Sequence, residues 1–249
     1  MKNFYFIKKR LFDFTLSSIG LVFIIPIITP FLFLIWIQDF HSPFYISYRV
    51  GRNNKLFKIV KLRSMIIAAE KNGVDSTSAN DPRITKVGKI IRKLKLDELT
   101  QLFNVFKGDM SFVGPRPNVE RETRIYTEIE NRLLKFKPGI TDFSSIVFSD
   151  EAQILSDFDD PDIAYNQIIR PRKNHLALFY ISNQSLFLDI KLILLTFYAF
   201  FSKKNALKLI RRTLRKLNAS EDLINMANRK NVLDPMPPPG SSEIVYTRE

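Results

Sequence analysis

Two adjacent carboxylates, Asp97 and Glu98, follow Arg92, Lys93 and Lys95 near the start of a predicted helix. Neighbouring cations favour the ionised form of a carboxylate, and a helix N-terminus stabilises anions such as phosphate. Adjacent helical residues point about 100° apart, so both carboxylates can reach one divalent cation but cannot share one role. The pattern predicts a site for a phosphorylated substrate and Mg²⁺, with one carboxylate acting as nucleophile or base.

A purely structural role explains the same residues. Asp and Glu in the first turn of a helix often only cap it and offset its dipole. Arg116 lies between Pro115 and Pro117, and such a segment is often no more than a stiff turn. The residue types alone therefore leave both interpretations open.

An uncharged apolar run at residues 14–38 dominates the N-terminal part of the chain. As a straight helix it would reach about 37 Å, enough to span a hydrocarbon core of about 30 Å. Pro26 and Pro30 each remove a helical N–H and predict a break. Both flanks are rich in Lys and Arg, which places both on the cytoplasmic side. We therefore predict a re-entrant membrane helix rather than a spanning one.

The rest of the chain reads as a mainly helical α+β protein with a small β-hairpin. Alternating apolar and basic residues around a Gly-Arg-Asn-Asn turn predict the hairpin. Apolar residues at helical spacing predict the helices, and proline and glycine mark the turns. The predicted elements are a hairpin at 44–63, a polar loop at 71–83, helices at about 84–93, 96–107 and 118–135, and turns at 114–117 and 137–139.

These elements suggest four regions along the chain. Residues 203–218 carry seven basic and no acidic residues, with apolar positions on one face. Such a helix suits a membrane interface, although packing against its own domain explains the pattern equally well. The proline-rich tail predicts disorder. The regions are a membrane-inserted helix at 1–40, a catalytic domain at 41–201, a basic amphipathic extension at 202–233 and a disordered tail at 234–249.

Composition narrows the classes of function. The chain has 249 residues, no cysteine, two histidines and a formal charge of +13, which predicts anionic partners. Disulfides and thiolate metal sites are excluded, and a histidine-based site at His41 or His175 is not expected. No glycine-rich phosphate loop or nucleic-acid module is recognisable, so nucleic acid is not an expected partner. A non-enzymatic basic scaffold at the membrane surface is the alternative to an enzyme.

Several separate motifs, in order, resemble the bacterial sugar transferases, which are monotopic polyprenyl-phosphate phosphoglycosyl transferases. The longest, KLDELTQLFNVFKGDMSFVGPRP, contains Asp97, Glu98 and Arg116. Together the motifs cover about residues 8–201. The others are KKRLFDF, YRVGRNNKLFKIVKLRSM, NDPRITKVGKIIRK, KFKPGIT and YISNQSLFLDIKLILLTF.

The resemblance implies a two-step transfer of a sugar-1-phosphate from a UDP-sugar to polyprenyl (undecaprenyl) phosphate. Asp97 would attack the sugar-bearing phosphorus, releasing UMP and leaving a covalent aspartyl phosphosugar that the lipid phosphate then accepts. Glu98 would bind Mg²⁺ as cofactor. The residues expected to bind substrate are Lys61, Arg63, Arg83, Arg92, Pro115, Arg116 and Pro117.

The resemblance also implies a bacterial inner membrane location, with the active site on the cytoplasmic face and contacts to anionic lipid. A homo-oligomer is a further expectation. Two departures from the family pattern bear on these expectations. Ile25-Pro26 replaces the Ser-Pro that is frequent at the membrane-helix break, and Asp142-Phe143-Ser144-Ser145 replaces a segment expected to influence sugar choice. We therefore carry over no particular sugar.

Overall fold

The computed structural model describes residues 2–69, 77–78, 80–229 and 233–246, so residues 71–76 and 79 of the predicted loop at 71–83 lie outside the described residues. The fold is mainly helical with short strands, as predicted. Its strands are β1 (Phe44–Val50), β2 (Leu56–Leu62), β3 (Ser111–Val113) and β4 (Gly139–Thr141). Its helices are α1 (Lys2–Ile37), α2 (Lys86–Lys93), α3 (Leu96–Leu99), α4 (Leu102–Lys107), α5 (Glu120–Arg124), α6 (Phe143–Val147), α7 (Glu151–Leu155), α8 (Pro161–Ala164), α9 (Arg170–Ser182), α10 (Leu186–Phe201), α11 (Lys203–Lys216) and α12 (Glu221–Met226).

Helix α1 continues through both of its prolines. Pro26 and Pro30 lie inside helical backbone that ends only at Ile37. A proline inside a helix can bend the helix without ending it, so the predicted break of the membrane helix at these residues stays a prediction. Each proline removes one N–H but has a φ angle compatible with a helix, so the flanking hydrogen bonds can carry the helix past it. The segment Phe4–Ile37 is apolar and long enough to cross a membrane, and most of it is not buried by the protein.

Both ends of α1 contact the same globular domain. Near the start, Nζ of Lys9 lies 2.6 Å from Oδ2 of Asp189 on α10, and both side chains are buried. Near the end, Ile35 is 1% exposed and packs against β2 and α2. Just beyond the helix, Asp39 pairs with Arg63. A helix held at both ends by one domain is the arrangement that insertion from one side of a membrane requires.

The predicted hairpin is present and anchors the helices that carry the acidic pair. β1 and β2 pair antiparallel. The Thr100 hydroxyl donates to the Val60 carbonyl at 2.8 Å, and the Asn104 amide donates to the Lys58 carbonyl at 2.7 Å. The predicted helix at 96–107 is therefore two helices, because a tighter turn at Thr100 and Gln101 lets these side chains reach β2.

A parallel strand pair that the sequence did not predict brings two glycine turns together. β3 pairs with β4, so that Gly114 and Gly139 lie back to back. The Gly139 N–H donates to the Pro115 carbonyl at 2.9 Å, and the Gly114 N–H donates to the Thr141 carbonyl at 3.0 Å. Strands of three residues show no readable alternation, and only tertiary contact reveals them.

The predicted helix at 118–135 is not continuous. Only α5 and a 3₁₀ segment at Glu130–Lys135 are helical. Glu130 is fully buried and accepts hydrogen bonds from Arg170 at 2.5 Å, Asn174 at 2.6 Å and the Thr127 N–H at 3.0 Å. This buried network fixes the chain where a regular helix would carry Glu130 away from its partners.

The C-terminal extension belongs to the main core. Ile210 and Leu214 of α11 are completely buried, with Leu207 packed beside them. Of the two interpretations of this helix, packing against its own domain is therefore correct for its apolar face. Part of the tail that was predicted to be disordered, residues 234–240, contacts the domain. The Met236 N–H donates to the Gln167 carbonyl, and Arg172 donates to the Asp234 carbonyl.

Candidate active site

A cavity of about 380 Å³ brings together residues that are far apart in the sequence. Five of the predicted site residues line it together: Lys61, Arg92, Asp97, Glu98 and Arg116. The hairpin, the helix that carries the acidic pair and the Pro-Arg-Pro turn therefore meet around one cavity. We call it the Asp97 cavity. Pro117 also lines it, whereas Pro115 does not.

The acidic pair enters the cavity because of a sharp turn between α2 and α3. Lys95 adopts a left-handed conformation, with φ 56° and ψ 24°, which costs a residue with a side chain about 1–2 kcal/mol. Leu96, which follows it, is buried against α1. The strained turn therefore fixes Asp97 and Glu98 between the membrane helix and the cations, as is common at functional sites.

Glu98 forms the charged centre of the cavity. Its carboxylate pairs with the Arg116 guanidinium, and a second contact in this pair measures 3.4 Å. Burial raises the pKa of Glu98, but Arg116 and Lys61 outweigh burial and hold it at about 2. Burial and the nearby Arg116 lower the pKa of Lys61 to about 8, although both carboxylates oppose that shift. Glu98 is thus ionised at neutral pH, as expected.

Asp97 behaves differently from its neighbour. Burial and the charge of Glu98 raise its pKa above the ordinary range, although Lys61, Arg92 and Lys95 act in the opposite direction. The cations act on Asp97 as expected, but burial and Glu98 outweigh them. Oδ1 of Asp97 is buried and has no hydrogen-bond partner. A basic carboxylate with an unpaired oxygen is suited to attack an electrophile.

Arg92 is held at the wall of the cavity. Its Nε donates to the Ser64 hydroxyl at 2.8 Å, and the residue lines the cavity. Burial lowers its pKa, against the effect of Asp97 and Asp81. A planar guanidinium at this position matches phosphate geometry.

Arg63 and Arg83, predicted to bind substrate, do not line the Asp97 cavity. Arg63 is buried and pairs with Asp39, with one contact at 2.6 Å, and thereby fastens the hairpin to the end of α1. Arg83 is buried and contacts both carboxylate oxygens of Asp81, with the shortest contact at 2.6 Å. Each arginine is held by a carboxylate outside the cavity, and its role in substrate binding stays a prediction.

Gln101 is a residue of the cavity that sequence reasoning missed. It is 1% exposed, and neither its amide nitrogen nor its amide oxygen has a hydrogen-bond partner. A buried amide without partners costs about 1–3 kcal/mol, so a fold keeps one only for a reason. Its position four residues after Asp97, on the same helical face, was the available signal. Arg49 and Lys173 also line the cavity.

Gln101→Leu should separate activity from stability. Removing the unpaired amide should raise the free energy of unfolding by about 1 kcal/mol, while turnover should fall at least about tenfold because the amide no longer meets the substrate or metal. Thermal melting and steady-state turnover measure the two effects. Gln153→Leu, at an exposed position on α7, is the control and should change neither. Unchanged turnover in Gln101→Leu would assign this amide no functional role.

The segment that departs from the family pattern reaches the cavity. Asp142 is buried and caps α6, since its carboxylate accepts the Ser145 N–H at 2.7 Å. The cap directs Ser145, Phe148 and Ser149 to the cavity wall. The segment is therefore placed where it can contact a bound substrate.

The oxygen ligands in the cavity fit a divalent cation. No three His, Cys, Asp or Glu side chains form a metal cluster within the described residues. Mg²⁺, however, usually takes only one or two carboxylates and completes its shell with water and substrate phosphates. Glu98 is ionised, and Oδ1 of Asp97 and Oε1 of Gln101 are unpaired. This set is the kind of oxygen environment that Mg²⁺ prefers.

Comparison with known proteins decides the family. The model of the bacterial sugar transferase family matches residues 4–203. The chain belongs to the bacterial sugar transferase family. This confirms the family predicted from the motifs and the prediction that the protein is a transferase acting on sugar phosphates.

Relatives of this transferase differ in the sugar they are named for. A Bacillus subtilis protein, described as a candidate undecaprenyl-phosphate N-acetylgalactosaminyl 1-phosphate transferase, is 41% identical over 61% of this chain and 80% of its own. The undecaprenyl-phosphate galactose phosphotransferase of Salmonella typhimurium is 42% identical over 53% of this chain and 31% of its own.

A third relative, from Aeromonas hydrophila, is named UDP-N-acetylgalactosamine-undecaprenyl-phosphate N-acetylgalactosaminephosphotransferase. It is 34% identical over 76% of this chain and 42% of its own. The transferase thus spans most of the Bacillus relative but less than half of the two longer ones.

Proposed function

We propose that this transferase moves a sugar-1-phosphate from a UDP-sugar to undecaprenyl phosphate through a covalent intermediate on Asp97. The observation that carries the proposal is the buried, unpaired Oδ1 of Asp97, which lies in one cavity with Lys61, Arg92 and Arg116. Phosphoryl transfer depends mainly on positioning and on neutralising charge at the transferred group. The cavity supplies both around a carboxylate that is more basic than usual.

In the first step, a carboxylate oxygen of Asp97 forms a bond to the sugar-bearing phosphorus. The bond from that phosphorus to the bridging oxygen of the diphosphate breaks, and UMP leaves with the electron pair. Lys61, Arg92 and Arg116 offset the negative charge that develops on the phosphoryl oxygens and on UMP. Because Glu98 holds Arg116, the guanidinium is oriented before the substrate arrives.

In the second step, a phosphate oxygen of undecaprenyl phosphate attacks the same phosphorus. The acyl phosphate bond to Asp97 breaks, and the carboxylate is regenerated. The product is an undecaprenyl diphosphosugar. Dividing the transfer in this way lets two bulky substrates use one cavity in turn.

A divalent cation, when bound, would neutralise diphosphate charge and orient the donor. Glu98 is its expected protein ligand, with Asp97 and Gln101 close enough in the same cavity to support it. The side chains of Lys61, Arg92 and Arg116 bind and orient the phosphates of the substrate.

We place the site on the cytoplasmic face of a bacterial inner membrane. Both ends of α1 contact one domain, and both flanks of the apolar run are basic. A soluble nucleotide sugar can reach this face, while the lipid acceptor presents its phosphate at the interface. A cysteine at Lys2 should remain unlabelled by an impermeant maleimide added to intact cells. Labelling there would contradict this topology.

The test of the function is UMP release by the purified protein in nanodiscs. UDP-sugars bearing galactose, glucose and their N-acetylated forms are each offered with Mg²⁺, with and without undecaprenyl phosphate. We expect turnover with at least one donor, and only when undecaprenyl phosphate is present. Without the lipid, about one UMP should be released per protein molecule, because the reaction stops at the covalent intermediate. Absence of any UMP release with all donors, from a well-folded sample, would favour the non-enzymatic scaffold.

A further inference from the structure

An apolar groove of about 740 Å³ runs between α1 and α10 and is separate from the Asp97 cavity over most of its length. One wall is a stripe on α1 at four-residue spacing, formed by Phe12, Leu16, Gly20 and Ile24. Leu194 and Phe197 belong to the opposite wall on α10. The volume is typical of a site for a single elongated ligand.

The groove is apolar without being closed by the protein. Leu194 is 63% exposed and Phe197 is 62% exposed, although both lie on a helix that packs well on its other side. At Gly20, α1 comes close to the Leu102 side chain, since a Cβ there would lie 2.9 Å from Cδ1 of Leu102, and both residues line the groove. Exposed apolar surface of this extent in a continuous groove marks a binding site.

One end of the groove is charged. Lys93, Lys95 and Glu98 are its only charged lining residues among those the structure describes. Glu98 also lines the Asp97 cavity, as do Lys95 and Ser145, so the two spaces join at this end. Within the described part of the chain, neither lysine forms an ion pair, which leaves both ammonium groups for an anionic ligand.

We propose that this groove binds the first isoprene units of the polyprenyl phosphate acceptor, with Lys93 and Lys95 holding its phosphate at the entrance to the Asp97 cavity. The inference rests on the proposed function, because only that reaction requires a lipid phosphate beside Asp97. Three features match this ligand: an elongated apolar channel, one cationic end, and a junction with the site where its phosphate must react. The remaining isoprene units would extend from the open groove into the bilayer.

The test blocks the groove without touching the chemistry. Leu194→Trp places a larger side chain at the groove wall at an exposed position, and Lys93→Gln removes one cation that does not line the Asp97 cavity. Each variant is assayed in nanodiscs for the KM of undecaprenyl phosphate. The donor half-reaction, UMP released stoichiometrically without lipid, is measured in the same samples. Phe187→Trp, 79% exposed on the same helix but outside the groove, is the matched control.

We expect Leu194→Trp and Lys93→Gln each to raise the KM for undecaprenyl phosphate on the order of tenfold, because each removes binding made before the reaction. The donor half-reaction should stay within about twofold, and the control should match the wild type in both assays. An unchanged lipid KM in both groove variants would overturn the proposal. An equal rise in Phe187→Trp would also overturn it, because it would indicate altered membrane insertion. A wild-type protein without the donor half-reaction would instead refute the proposed function.

Discussion

Asp97→Asn should lower turnover at least about 1,000-fold, because an amide oxygen cannot displace UMP to form the acyl phosphate. Asn preserves the size of the side chain, and the raised pKa of Asp97 shows that burial disfavours its charge. The substitution should therefore leave thermal melting unchanged or slightly higher. Covalent labelling of the protein by a radiolabelled UDP-sugar should be lost together with turnover.

A matched carboxylate separates the nucleophile from general effects of charge. Asp109 belongs to the same motif, lies outside the Asp97 cavity and pairs with Lys107 at 3.2 Å. Asp109→Asn should retain labelling and most of the turnover. Labelling that survives in Asp97→Asn would remove the nucleophile from this position.

The pH profile provides an independent check on Asp97. A nucleophilic carboxylate must be ionised, and its raised pKa means that ionisation is lost earlier as the pH falls. The acid limb of kcat/KM should therefore lie above the pH range of an ordinary aspartate. If bound substrate or metal offsets the shift, the limb for kcat should lie lower than that for kcat/KM, since the former reports the substrate complex.

Gly139→Ala should cause the second largest loss of turnover, although Gly139 does not line the Asp97 cavity. A Cβ at Gly139 would lie 2.1 Å from the Gly114 nitrogen and 2.6 Å from its Cα and carbonyl oxygen. These are backbone atoms, so the two turns must move apart, and Arg116 moves with them. We expect a loss of about 1–3 kcal/mol in the free energy of unfolding and about a 100-fold loss of turnover where the protein remains folded.

Thermal melting and turnover well below the melting temperature measure these two losses. Gly51→Ala is the control, since a Cβ there would meet the Phe57 ring at 3.0 Å and the Lys55 carbonyl oxygen at 3.1 Å, so the neighbours need to shift far less than at Gly139. It should cost clearly less on both measures. Wild-type turnover in Gly139→Ala would show that Arg116 does not depend on the contact between the two glycine turns.

The sequence motifs predicted which residues line the Asp97 cavity better than they predicted how those residues affect one another's pKa. Asp97, Glu98, Lys61, Arg92 and Arg116 were identified from residue types and family resemblance, and they do share one cavity. The two carboxylates differ, because the pKa of Glu98 is lowered whereas that of Asp97 is raised. Burial and the neighbouring charge act against Asp97, and neither can be read from the charges that are near it in sequence.

Tertiary structure also decided which of the predicted arginines reach the Asp97 cavity. Arg63 and Arg83 resemble the other cations in sequence, yet each is held by an aspartate, Asp39 or Asp81. Conversely, Gln101 looked like an ordinary helical residue until its buried amide proved to have no partner. The value of a polar residue to a site depends on which of its hydrogen bonds the fold has already used.

By itself, the sequence determined the apolar helix, the hairpin, the position of the acidic pair and the family, because these depend on local periodicity and on short motifs. Only the tertiary structure decided that α11 packs its apolar face into the core, and that a parallel pairing of β3 and β4 places Arg116 opposite Glu98. These features arise from contacts between residues far apart in the chain, and packing energy there outweighs local preference.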